Sequence, residues 1–336
     1  MPPELKAFLI RSGLVPAAAQ VTCTPLAGGI SSDVWRIAAT GRTFCVKRAL
    51  PRLRVEAVWQ APLSRNAHEW AWINFAADIV PHAVPRLLAH DPECGMFAME
   101  YLDPGEYPVW KDQLLGAEAN PAVAGSIARM VLRLHEASAG SAPIAAAFRT
   151  DGVFYALRIE PYLLEAARRN PSVCERLHSL AGETLATKIA LVHGDVSPKN
   201  ILVGPHGPVL LDAETAWYGD PAFDLAFCLN HLLLKCLARP ASTGSFLKCF
   251  TTFRSAYLSR VSWEDSTILE ARATRLLPAL LLARVDGKSP VEYLTAEGKS
   301  FVRETACALI LVQPVRLDDV ASAWQVALSR QERSAR

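Results

Sequence analysis

Two short apolar runs, Ile201-Leu202-Val203 and Pro208-Val209-Leu210-Leu211, meet at Gly204-Pro205-His206-Gly207, with polar side chains immediately outside both. Apolar runs around a Gly/Pro turn predict a β-hairpin. With the turn centred near His206, Asn200 on one strand faces Asp212 on the other. Directly opposed residues hold their Cβ atoms about 4.5–5.5 Å apart, so one hard cation could take an oxygen from each. Asp195 precedes Asn200 in His193-Gly194-Asp195-Val196-Ser197-Pro198-Lys199-Asn200 and stands beside that cation without a ligating duty. A carboxylate next to an oxygen-ligated metal is the equipment of phosphoryl transfer, which depends mainly on positioning and charge neutralisation.

The rest of the chain bounds this reading. A length of 336 residues exceeds what one core usually holds, so two lobes are expected. The formal net charge of +2 is too small to suggest nucleic acid or an acidic membrane surface. The eight cysteines show no C-x-x-C pair or metal-like spacing, and contexts such as Phe44-Cys45-Val46 read as reduced core thiols. Glu4, Lys6 and Arg11 break the N-terminal apolar pattern, so a short amphipathic helix stopping at Gly13 is expected rather than a signal peptide. The greasiest stretches, 225–237 and 276–282, are interrupted or too short to span a bilayer. A cytoplasmic protein without a nucleic-acid or membrane partner is expected, and no oligomeric state is assigned.

Residues 21–48 alternate in strand fashion, with a hairpin of 34–37 and 43–47 around Ala-Ala-Thr-Gly. A helix is predicted from Arg65 to Ile79 on the spacing of Trp72, Phe75, Ala76 and Ile79, then strands at 87–90 and 96–99. Beyond Asp103-Pro104-Gly105 the pattern is mostly helical. Two glycines, Gly28 and Gly29, lie between the first strands, where backbone N–H groups could approach phosphates, with Ser31 following. A Walker-type loop is ruled out: Gly287-Lys288-Ser289 and Gly298-Lys299-Ser300 have Leu282 and Tyr293 where the earlier glycine is required.

The His-x-Asp-(x)4-Asn loop followed by a hairpin and Asp212-Ala213-Glu214 resembles the protein-kinase-like enzymes, and more closely their aminoglycoside phosphotransferase and choline kinase branch. The resemblance implies an α+β, bilobal protein-kinase-like fold. Residues 1–99 would form a small nucleotide-binding N-lobe, an antiparallel sheet with one main helix; 100–104 a hinge; and 105–336 a larger, mostly helical C-lobe carrying the catalytic hairpin and the acceptor site. It further implies ATP and Mg²⁺ as cofactors. Asp195 would accept or orient the substrate hydroxyl proton, and Asn200 and Asp212 would hold the metal, with Glu214 a further ligand directly or through water. Lys47, oriented by Glu69, would hold the nucleotide phosphates, and Glu100 and Leu102 would offer backbone groups to the adenine edge. His193 would brace the loop, and Asp224 would clamp its backbone.

The stretch Val46-Lys47-Arg48-Ala49-Leu50-Pro51 through Arg65 and Glu69, with Val80-Pro81-His82-Ala83-Val84-Pro85 and Trp217-Tyr218-Gly219, is similar to methylthioribose kinases. Arg284 resembles a C-terminal arginine those enzymes use near the sugar and the transferred phosphate. Trp217 and Tyr218 are further acceptor candidates. Asn200 has no counterpart in those enzymes. The acceptor expected is a hydroxyl of a small metabolite, with a sugar or thiosugar favoured over an aminoglycoside or an amino alcohol such as choline. A nucleotide-binding pseudokinase regulator is the rival of a different class, disfavoured because Lys47, Glu69, Asp195, Asn200 and Asp212 are all present.

Overall fold

The computed structural model describes residues 1–26, 31–54, 59 and 61–334. Five strands form one antiparallel sheet: β1 (Val21–Pro25), β2 (Ser32–Ala39), β3 (Arg42–Ala49), β4 (Leu87–Asp91) and β5 (Met96–Glu100), in the order β1-β2-β3-β5-β4. Strand alternation sorts their side chains between two faces. Trp35, Ile37, Phe44, Val46, Met96 and Ala98 share one face, covered by Leu5, Phe8 and Leu9 of the Pro3–Arg11 helix. Lys47 pairs with Val34 and Phe97 in the ladder and so belongs to the opposite face. There Phe97 joins Trp72, Ile73 and Ala76 of the Arg65–Ile79 helix in the main core. The β2–β3 turn holds Thr40 (φ 50°) and Gly41 (φ 73°) in the left-handed region, which matches the twist of the flanking strands.

After Glu100 the chain is mainly helical. The Ala222–Ala238 helix is buried continuously from Ala222 to Cys236, which explains its apolar sequence: it is surrounded by protein on every side. It packs against the Ser266–Asp286 helix, which Asp265 caps by accepting from Thr267 N at 2.8 Å. All eight cysteines are free. Among the described residues no helix is long and apolar enough to cross a membrane.

Two features depart from the periodicity. The hairpin forms from Ile201–Gly204 and Gly207–Leu210, but its loop is the two residues Pro205 and His206, so the turn is centred between them. That shift pairs Ile201 with Leu210 and brings Leu211 opposite Asn200, whose carbonyl accepts from Leu211 N at 2.9 Å. Asp212 lies one residue past the expected position, with a left-handed backbone (φ 67°) that ends the strand. The second departure is a π-helical stretch, Tyr155–Leu164, containing Pro161. Proline lacks the N–H that an α-helix would use there, and such wider turns are recurrent at functional sites.

Candidate active site

The loop carrying Asp195 is fixed by its backbone. It leaves the short strand Ala190–Val192, which pairs with Trp217–Gly219. Asp224, fully buried near the start of the central helix, accepts from His193 N at 2.7 Å and Gly194 N at 2.8 Å. Both carboxylate oxygens are thereby used, and His135 Nε2 adds a third contact at 3.1 Å. Gly194 sits at φ 78°, and a Cβ there would come within 2.6 Å of Thr215 Oγ1 and 2.9 Å of Thr215 O. Only glycine fits. His193 Nδ1 accepts from Asp195 N at 3.1 Å, so this nitrogen is unprotonated. Burial lowers the imidazole's pKa further, in keeping with a bracing role.

Asp195 is buried, and its Oδ2 lies 2.9 Å from Arg158 Nη2 and 3.3 Å from Lys199 Nζ. Burial would raise its pKa, but Lys199 and Arg158 outweigh that and hold it well below the usual carboxylate range. Its Oδ1 is buried without a hydrogen-bond partner among the described residues. Arg158 comes from the π-helical stretch and also donates from Nε to Gly194 O at 2.5 Å. Sequence reasoning missed it. The one available signal was Pro161 inside an otherwise apolar helical pattern, which marks irregular backbone.

Lys47 Nζ lies between Glu69 (Oε1 2.7 Å, Oε2 2.6 Å) and Asp212 (Oδ1 2.5 Å). Burial opposes its charge, yet Asp212, Glu69 and Glu214 carry its pKa above the ordinary value. Glu69 and Asp212 share this one ammonium, and burial pushes Glu69 up to about 7 although Lys47 pulls the other way. For Asp212, Lys47 and Lys199 overcome burial and keep it ionised. Glu214 gives Oε2 to Arg65 Nε at 2.9 Å, which commits that oxygen to a guanidinium. Arg65, fully buried, also donates from Nη2 to Ser31 O and Leu50 O, both at 2.6 Å, and so ties the sheet to the Asp212–Glu214 segment.

Among the described residues no group of three or more His, Cys, Asp or Glu side chains is placed to hold a metal. Asn200 Nδ2 donates to Asp195 O at 3.2 Å, which leaves its amide oxygen as the acceptor. One amide oxygen plus the Asp212 carboxylate is a hard, incomplete donor set. It fits Mg²⁺, which is commonly held by one or two carboxylates together with phosphate oxygens rather than in an all-protein cage.

The remaining expected residues fall in three groups. Gly28 and Gly29 lie outside the described residues, while Ser31 is buried beside Arg65. Glu100 ends β5, where its N–H donates to Arg86 O at 2.9 Å; Leu102, just beyond, makes no backbone hydrogen bond with another described residue. Trp217 and Tyr218, expected at the acceptor, are core residues instead. Trp217 stacks on Phe154 at 4.1 Å and donates to Asp151 Oδ1, while the Tyr218 hydroxyl donates to Ile189 O at 2.7 Å. The strand pairing of Trp217–Gly219 with Ala190–Val192 is what seats them there. Arg284 is buried and donates from Nη1 to the Tyr162 hydroxyl at 3.1 Å, and Tyr162 in turn lies under Arg158.

Residues 22–239 match the model of the phosphotransferase enzyme family. Methylthioribose kinase of Escherichia coli is 26% identical over 237 residues, which cover 62% of this chain and 56% of that protein. The Bacillus cereus methylthioribose kinase is 24% identical over 274 residues, covering 70% of this chain and 66% of that protein. The chain thus spans less than two thirds of the length of these relatives. A solved ethanolamine kinase of Plasmodium vivax superposes with a TM-score of 0.57 at 12% identity, over 92% of this chain and 89% of that one, a likeness of fold. The fold is protein-kinase-like, and the chain belongs to the phosphotransferase enzyme family.

Proposed function

We propose that this member of the phosphotransferase enzyme family transfers the γ-phosphate of ATP to a hydroxyl of a small metabolite, with a sugar or thiosugar favoured as acceptor. The observation that carries the reading is the convergence of Lys47, Glu69 and Asp212 within 2.7 Å contacts, next to an ionised Asp195 whose Oδ1 has no partner. On this reading residues 1–99 form the nucleotide lobe, 100–104 the hinge and 105–336 the catalytic and acceptor lobe. Leu102, whose backbone N–H makes no backbone hydrogen bond among the described residues, would meet the adenine edge together with Glu100.

Lys47 would exchange its contact with Asp212 for nucleotide phosphate oxygens, while Glu69 keeps its ammonium in place. Asp212 and the Asn200 amide oxygen would then hold Mg²⁺, which supplies charge neutralisation between the phosphates when bound. Asp195 is a weak Brønsted base because Lys199 and Arg158 stabilise its ionised form. Its role is therefore to accept a hydrogen bond from the acceptor hydroxyl through Oδ1, aim that oxygen, and take the proton late, as it becomes acidic on phosphorylation. Lys199, 3.3 Å from Asp195, is placed to offset charge at the transferring group.

The test is incubation of the wild type and Asp195→Asn with ATP and Mg²⁺ against a library of pentoses, thiosugars, amino alcohols and aminoglycosides, with mass-spectrometric detection of phosphorylated products. A product formed by the wild type and nearly lost in the variant supports the reading. No product from any acceptor, with no nucleotide binding by calorimetry, would overturn it.

A further inference from the structure

The face of the central helix that begins with Asp224 continues away from the catalytic loop through Phe227, His231 and Lys235, at the i, i+3, i+7, i+11 spacing that aligns residues on one side. Phe227 lies beneath the Arg158 guanidinium at 5.6 Å, and the His231 ring packs on Phe227 at 5.5 Å. Lys235 follows one turn later. Its side chain is 1% exposed, yet its ammonium has no ion pair or hydrogen bond among the described residues and rests on the Tyr293 ring at 3.7 Å. A buried ammonium without a carboxylate is costly, and here burial, Lys111 and Arg284 together lower its pKa to about 7.

Arg284 is likewise buried and, among the described residues, paired with no carboxylate; its Nη1 donates to the Tyr162 hydroxyl and to Ser289 O, while its Nε has no partner. His231 Nε2 and the Tyr293 hydroxyl are also buried and have no hydrogen-bond partner among the described residues. The acidic groups acting on Lys235 are Glu292, already bound by Lys111, and Asp112. Lys111, Lys235 and Arg284 therefore face two carboxylates, whereas nearer the loop Arg158 and Lys199 are offset by Asp195 and Asp212 together, with Glu214 also acting on Arg158. The excess positive charge and the unused donors are thus concentrated around Lys235 and Arg284.

We infer that the acceptor carries, besides the hydroxyl that is phosphorylated, an anionic group that binds between Lys235 and Arg284, an inference that rests on the phosphotransfer reading above. His231 and Lys235 stand roughly 6 and 12 Å along the helix axis from Phe227, at about 1.5 Å per residue. Lys235 is therefore too far along to serve the phosphate being transferred beside Asp195. It instead measures the acceptor: at the roughly 1.2 Å per bond of an extended chain, the anion lies about five to ten bonds from the reacting oxygen. A sugar acid or a sugar phosphate has that length and charge. A polycationic aminoglycoside or a quaternary amino alcohol would bring further positive charge to two uncompensated cations and is disfavoured.

The experiment separates binding from turnover. Calorimetry with the full chain, Mg²⁺ and a non-hydrolysable ATP analogue compares pentitols and hexitols with their aldonates and their terminal monophosphates, with choline and an aminoglycoside as cationic controls. The expected result is that one anionic series, carboxylate or phosphate, binds at least about tenfold tighter than the matched polyols, as a charge-assisted hydrogen bond requires. The preference should vanish in Lys235→Met and persist in Lys235→Arg, with thermal melting used to verify that each variant is folded. Equal affinity for neutral and anionic compounds, no binding of any anion at millimolar concentration, or a preference retained in Lys235→Met would each overturn the anion site. Anion-selective binding without phosphorylated product from ATP would instead overturn the phosphotransfer reading and the acceptor role built on it.

Discussion

At Gly194 a positive φ of 78° and the approach of Thr215 to within 2.6 Å of an added Cβ make two independent demands for glycine. Gly194→Ala should cost about 1–3 kcal/mol from the backbone alone, read as a lowered urea midpoint, and should reduce turnover further by displacing Asp195. Asp195→Asn tests chemistry without changing volume. It should cut kcat by about 10²–10⁴-fold if the carboxylate receives the acceptor proton, and unchanged turnover would remove that role. Asp195 was singled out in sequence because the His-x-Asp-(x)4-Asn spacing is local, whereas the demand for glycine at 194 comes from Thr215 across the fold. Arg158 was not singled out: its partner Asp195 lies on another element, and the nearby Pro161 marks irregular backbone without naming the arginine.

At the scale of the element, the central helix shows how one segment can serve packing and chemistry together. Its apolar run was read from sequence as too interrupted to cross a membrane, and the interruptions are the informative part. Asp224, just before the run, clamps the backbone of the loop carrying Asp195, while Lys235 within it is kept buried without a carboxylate among the described residues. The second has a measurable consequence. Burial first, then Lys111 and Arg284, lower the Lys235 pKa to about 7, against an ordinary 10.5. Between those values the unfolded chain binds a proton that the native state does not, so this group makes stability rise with pH from about 7 to about 10.5; the contribution is lost as pH falls towards 7. Lys235→Met should therefore flatten the difference in urea midpoint between pH 7 and pH 10 relative to wild type, and should raise the melting temperature at pH 7. A variant less stable than wild type at pH 7 would contradict the uncompensated charge. The π-helical stretch is the complementary case, where the chain accommodates Pro161 by widening its turns.

Over the whole molecule, two ion pairs among the described residues join the first hundred residues to the helical region: Lys47 on β3 with Asp212, and Arg65 on the following helix with Glu214. Both meet at the segment following the hairpin, so a ligand that engages Lys47 and Asp212 together should stabilise the entire protein. Binding to the native state alone adds about 2.7 kcal/mol at a hundredfold excess over Kd. ATP with Mg²⁺ should accordingly raise the melting temperature by several degrees. ATP alone or Mg²⁺ alone should do much less, because one protein carboxylate and one amide make an incomplete metal site, and EDTA should reverse the gain. Equal stabilisation by ATP with and without the metal would argue against Asn200 and Asp212 as the pair that holds it.

The sequence by itself determined the main elements. The β2–β3 hairpin, the Arg65–Ile79 helix and the Ile201–Leu210 hairpin follow from periodicities and turn chemistry confined to about ten residues. Tertiary structure decided which charges meet. Lys47 finds Asp212 across 165 residues and Arg65 finds Glu214 across 149, and no local pattern encodes such a pairing. Register was also a tertiary matter in miniature: a two-residue loop moved Leu211 opposite Asn200, and the left-handed Asp212 ended the strand. Trp217 and Tyr218 show the same division. Their types suit a ligand pocket or a core equally well, and the pairing of Trp217–Gly219 with Ala190–Val192 placed them in the core. Local conformation is set by short-range sterics and hydrogen bonding, whereas the partners of a buried charge are set by chain closure, which brings together groups that the sequence keeps far apart.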